Sequence, residues 1–176
     1  MEKIEDHNTV KEARDYLIKG LHDGVECPVC CQHAQIYRYK LYATSAQALI
    51  RLYALTQTFP SVVYWHISNY AEAATDRPRA PHFAELRFWG LIARRENPKP
   101  GQNSAGYWCI TEKGKAFVRG EISLHSRILV FNNTFQGFED NSESISIRDA
   151  LQNKFNYQEL MGDHYGDEGI QQRMAL

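Results

Sequence analysis

No stretch of this 176-residue chain is long and apolar enough to span a bilayer, which takes about twenty consecutive apolar residues. The opening MEKIEDHNTV also lacks the apolar run of a secretory leader, so the expected compartment is the cytoplasm. Cysteine is scarce, at four residues. In a reducing compartment such cysteines are thiols or metal ligands rather than disulfide partners. There is no Gly-rich phosphate cradle, no nucleophile elbow and no H-E-x-x-H helix. The seven histidines are scattered, and the expectation is that the protein is not an enzyme. No internal repeat is visible.

Net charge is also small, at −1, but it is unevenly spread. Residues 1–26 sum to −3 and residues 137–176 to −5, whereas 77–119 carry nine basic against three acidic side chains, a net +6. A basic segment between acidic ends is the footprint of a phosphate-binding face, although surface Arg and Lys more often serve solubility alone. Hydrophobic residues make up 43% of the chain, enough for one sizeable core or a core with an appendage.

The basic segment is also the most patterned. In Pro81–Trp89, Phe83, Leu86 and Trp89 share one helical face, and Gly90 stands where a left-handed cap is needed. Leu91 to Arg95 reads as a strand that leaves the core for solvent. Asn97 to Gly106 holds two Pro, two Gly, two Asn and a Ser, which suits an exposed loop tip. Tyr107-Trp108-Cys109-Ile110 returns as a strand, and Thr111 caps a helix that starts with Glu112-Lys113-Gly114.

Leu86 to Ile92 and Ile110 to Gly114 match the pattern L-x-x-x-G-L-I … I-T-E-K-G. In this the chain resembles winged-helix regulators of the MarR-like group. The resemblance spans about a quarter of the chain and implies a fold more firmly than a ligand. It implies a recognition helix in a DNA major groove with a loop beside it. Arg79, His82, Glu85 and Arg87 would then face bases, with Glu85 able to accept from cytosine N4. Arg94, Arg95 and Lys99 would lie on backbone phosphate or in the minor groove. The chain also resembles small proteins carried by bacteriophages and prophages, through Cys27-Pro28-Val29-Cys30, the segment above, Gly120-Glu121-Ile122, Ile147 to Leu151 and Phe155-Asn156-Tyr157.

Elsewhere the periodicity predicts three helices before the basic segment. The first has Asn8 or Thr9 as cap, Val10, Ala13, Leu17 and Leu21 on one stripe, and Gly24 past its end. The second runs from about Lys40 to Gln57 until Phe59-Pro60 breaks it, and the third from Val62 to Ala74. The link TDRPRA before Pro81 is longer than the tight turn of simple helix-turn-helix proteins. After Gly120, Ile128–Phe131 and Phe135–Phe138 flank Asn132-Asn133-Thr134 as a hairpin, and Ser146 with Asp149 approximates a capping box.

The expected fold is therefore α+β, mainly helical. It comprises N-terminal helices with a cysteine turn (1–60), a winged helix-turn-helix (61–120), a hairpin and helix extension (121–161) and a flexible polar tail (162–176).

Cys27-Pro28-Val29-Cys30 is the second chemical signal, because two thiols two residues apart in a tight turn can face one cation. Structural zinc needs four ligands, and no second C-x-x-C is present. Cys31 and His33 are the local candidates for the remainder, and His22, His66, His82 and Cys109 those through the fold. The competing reading is a buried turn with small apolar thiols. A redox pair would need βαβ surroundings that the pattern does not show.

These readings converge on a DNA-binding protein with a regulatory or accessory role, its partner double-stranded DNA and its candidate cofactor structural zinc. The alternative is an interaction module that docks on a host or phage protein. A C-terminal arm is a candidate for forming a homodimer.

Overall fold

A computed structural model describes residues 9–68, 82–96 and 105–162. In chain order its elements begin with α1 (Val10–Gly20), β1 (Val25–Glu26), β2 (His33–Ala34), β3 (Tyr37–Lys40), α2 (Ala43–Thr58) and β4 (Trp65–His66). A 3-10 helix, Phe83–Trp89, leads into β5 (Ile92–Arg94), and β6 (Tyr107–Ile110) leads into α3 (Glu112–Val118). Then come β7 (Leu124–His125), β8 (Arg127–Phe131), β9 (Thr134–Phe138), β10 (Ser144–Ile145), α4 (Ile147–Leu151) and α5 (Tyr157–Gly162). The fold is α+β. Among the described residues its ten short strands form four small sheets beside the helices.

The chain divides into two compact units, one of residues 1–39 with 127–140 and the other of 40–126 with 141–176. In the first, Thr9 closes a capping box with Glu12 and starts α1, as its sequence position predicts. Ala13 of the expected stripe is buried, but Val10 is exposed and Leu17 only half-buried. Gly20 admits Val25 so closely that a Cβ there would meet the valine Cβ at 2.8 Å. The antiparallel β1–β2 hairpin follows, pairing Val25 with Ala34 and Glu26 with His33.

The same unit holds the sheet β3–β8–β9. Asn132 and Asn133 both take left-handed φ, 46° and 60°, giving the two-residue turn that suits the right-handed twist of a hairpin. Pairing shifts between Leu129 and Val130: Leu129 faces Gly137 while Val130 faces Phe135, so Gln136 is the extra residue of a bulge. That bulge puts Phe135 and Phe138 on one face, their rings edge to face at 5.2 Å. Both are exposed.

The second unit is organised around α2. Nine of its sixteen residues are buried, from Ala43 to Leu55, including Ser45 and Gln47. A helix apolar on nearly every side has to be enclosed, and α3, α4, α5, β6 and the 3-10 helix all pack on it. The predicted start near Lys40 moves to Ala43, and the helix ends at Thr58, just before Phe59-Pro60.

The predicted third helix does not begin at Val62. Residues 62–64 are irregular and Trp65–His66 is a strand, a correction that the β-branched and aromatic run VVYWHI explains. The rest of that predicted helix, 69–74, lies outside the described residues, as does the predicted loop tip Lys99–Ser104.

β4, β6 and β5 form one antiparallel sheet in that spatial order. Trp65 pairs with Trp108, and Ile92, Ala93 and Arg94 pair with Ile110, Cys109 and Trp108. Trp65, Ile92, Trp108 and Ile110 bury one face. Thr111 caps α3 as predicted: its Oγ1 accepts from the Gly114 N–H at 3.0 Å and donates to the Gly90 carbonyl at 2.6 Å. A smaller ladder pairs β7 with β10, and Ser146 and Asp149 close the predicted capping box on α4.

Candidate nucleic-acid interface

The 3-10 helix begins and ends in left-handed backbone, at His82 (φ 69°) and Gly90 (φ 72°). Seven residues rising about 2 Å each make this element about 14 Å long, narrower and shorter than an α-helical reader. Phe83, Leu86 and Trp89 are buried, the i, i+3 face predicted from the sequence. Trp89 is further fixed by its indole N–H, which donates to the His125 carbonyl at 2.8 Å.

The predicted base-reading side chains are engaged with their own chain. His82 stacks on Tyr42 with ring centroids 4.5 Å apart, and its Nδ1 lies 2.7 Å from Glu85 Oε1. The Glu85 side chain is only 19% exposed, and its Oε2 is buried with no hydrogen-bond partner among the described residues. Arg87 donates from Nη1 to the Ala84 carbonyl at 2.8 Å and lies over the Phe88 ring at 4.3 Å. Arg79 and Lys99 lie outside the described residues.

The two arginines after the 3-10 helix diverge, as neighbours on a strand must. Arg94 lies opposite Trp108 and is exposed at the edge of the buried face. Arg95 donates its backbone N–H to the Tyr107 carbonyl at 3.0 Å, and its guanidinium stands 5.6 Å from the Tyr107 ring on the other face. That outer face carries a row the sequence reading did not single out. His66 meets Tyr107 edge to face at 5.1 Å, and its Nδ1 is 2.7 Å from Ser68 Oγ. Gly106 lets this imidazole in, since a Cβ there would stand 2.6 Å from Nε2. The alternation of Tyr107 and Cys109 with Trp108 and Ile110 signals one side of this row, but the helical periodicity over residues 62–74 conceals the place of His66 in it.

The cysteine turn belongs to the other unit. Cys27 donates its N–H to the Gln32 carbonyl and accepts on its own carbonyl from the Cys31 N–H, both at 2.8 Å. Cys31 takes a left-handed φ of 57°. The backbone N–H groups of Cys30 and then Val29 donate to the Cys27 sulfur and hold its thiol below the usual cysteine range. All four cysteines are free thiols, with Cys27 and Cys109 half-buried and Cys30 and Cys31 exposed. Among the described residues no three His, Cys, Asp or Glu side chains gather as a metal would require. The predicted ligands Cys31 and His33 therefore do not join Cys27 and Cys30. His33 instead lies 3.3 Å from Gln35 Oε1 and packs on Gly24.

Comparison of the chain with protein-family models, with curated proteins and with solved structures finds no match.

Proposed function

We propose that the unit built on α2 is a winged helix that binds duplex DNA in a regulatory or accessory role. The observation that carries this reading is the sheet order β4–β6–β5. The 3-10 helix feeds β5, and β5 pairs antiparallel with β6 as the two strands of a wing do. The net +6 of residues 77–119 falls on this part of the chain. Arg95 leads onto phosphate from the outer face, where the Tyr107–His66 row offers flat rings and a ring nitrogen beside it, and Arg94, on the opposite face, reaches a neighbouring phosphate through the twist of the chain.

Binding across a salt series tests this. Replacing Arg94 and Arg95 together with Ala is expected to weaken binding to all duplexes alike and to flatten the salt slope by about one or two units. If His82 and Arg87 leave their partners within the chain to reach base edges, changing either is expected to alter preference among sequences. Absence of duplex affinity for the unaltered protein at low salt would refute the reading.

The second reading is a protein-interaction module, and the engagement of His82, Glu85 and Arg87 within the chain favours it. The same unit also carries a groove of about 470 Å³ between the end of α2 and the start of α3, lined by Pro60, Val62, Val63, Cys109 and Ile110 together with the polar Thr56, Gln57, Glu112 and Lys115. Loss of partner capture on changing Val63 to Asp, with duplex binding absent throughout, would select this reading.

A further inference from the structure

The Cys27–Cys30 turn has the shape of a metal-binding hairpin, yet only half the donors. The β1–β2 ladder and the two 2.8 Å backbone bonds fix the chain on both sides of the turn. Pro28 restricts the backbone between the thiols, and the left-handed Cys31 returns the chain to β2. The backbone N–H groups of Val29 and Cys30 both point at the Cys27 sulfur.

The hairpin itself cannot complete the set. Side chains alternate along a strand, so Glu26 and its cross-strand partner His33 lie on the face opposite Cys27. The His33 ring is occupied with Gly24 and Gln35. No described residue adds a third donor. Cys30 and Val29 are exposed, Val29 to 74%, so the open side of a metal on this turn would face solvent.

We propose that this turn is half of a tetrathiolate site for a zinc-class cation, and that a second copy of the chain supplies the other half. Two identical turns meeting tip to tip bring four thiolates, the number a tetrahedral ion of this class takes. The arrangement is symmetric, each copy giving what it receives, as in a two-fold interface. It also removes the exposed Val29 of each copy from water. On binding, the four thiols release their protons to solvent and each sulfur gives one electron pair to the metal.

The experiment is an anaerobic titration of the reduced full chain with Co²⁺, followed by absorbance and by sedimentation mass. The expected endpoint is one metal per two chains, with sulfur-to-cobalt charge-transfer bands, the visible bands of a tetrahedral site and a doubled mass. A chelator should return the wild-type protein to monomer, a readout that does not depend on any variant folding. Cys27→Ser and Cys30→Ser should abolish both signals, while Cys31→Ser and His33→Ala should keep them. One metal per monomeric chain, no thiolate bands, or a dimer indifferent to chelator would each overturn the proposal.

Discussion

Gly114 shows how one residue can be fixed by its neighbour's backbone. A Cβ at this position would stand 2.2 Å from the Leu91 carbonyl oxygen and 2.8 Å from Ile110 Cγ1. Alanine normally favours a helix over glycine by about 1 kcal/mol, but a backbone carbonyl cannot retreat as the end of a flexible side chain can. The clash should win. Gly114→Ala is expected to destabilise by about 1–3 kcal/mol, as overpacked cores do, read as a lower urea midpoint at unchanged slope. The final glycine of the I-T-E-K-G pattern is therefore required by the approach of α3 to β5, not by its own φ.

At the scale of elements, carboxylates at helix ends contribute to the pH dependence. The Ser146 hydroxyl and backbone N–H both donate to Asp149 and hold its carboxyl below the ordinary aspartate value. Lys115 does the same for Glu112, and Arg119 for Glu121. A depressed folded value means that these groups stabilise the fold above the ordinary carboxylate range and lose that contribution as pH falls through their folded values. Carboxyl titration by NMR should place Asp149 below an unstructured aspartate. Ser146→Ala should move it back up and make α4 fray at neutral pH.

Caps and strands with strong local signals were legible in the sequence: Thr9, Thr111, Ser146 with Asp149, Tyr107–Ile110 and the Asn132-Asn133 turn. Trp65–His66 was not, because its pairing partners lie about forty residues downstream and the local pattern fits a helix face equally well. The engagement of His82 was also hidden. Tyr42 is forty positions away, and nothing in the spacing of either residue marks the stack.

For the molecule as a whole, stability should be graded around α2. Leu49, Ile50, Leu52 and Leu55 are wholly buried, and five elements of their unit pack on this helix. Hydrogen exchange should be slowest for α2 amides and faster for the two-residue ladders β1–β2 and β7–β10, whose few bonds lie near the surface. Equal exchange of α2 and these ladders would show that burial does not set the order of opening.

The bulge at Gln136 has a consequence for handling the protein in concentrated solution. Among the described residues β9 is the outer strand of its sheet, and it carries two exposed phenylalanines. Such an edge is a template for strand-to-strand adhesion between molecules, and the bend of the bulge only partly protects it. Phe135→Lys should raise the concentration at which turbidity appears while leaving the melting temperature nearly unchanged. Deleting Gln136 to flatten the strand should lower that concentration, because the irregularity that pairs the two rings also bends this edge away from a second copy.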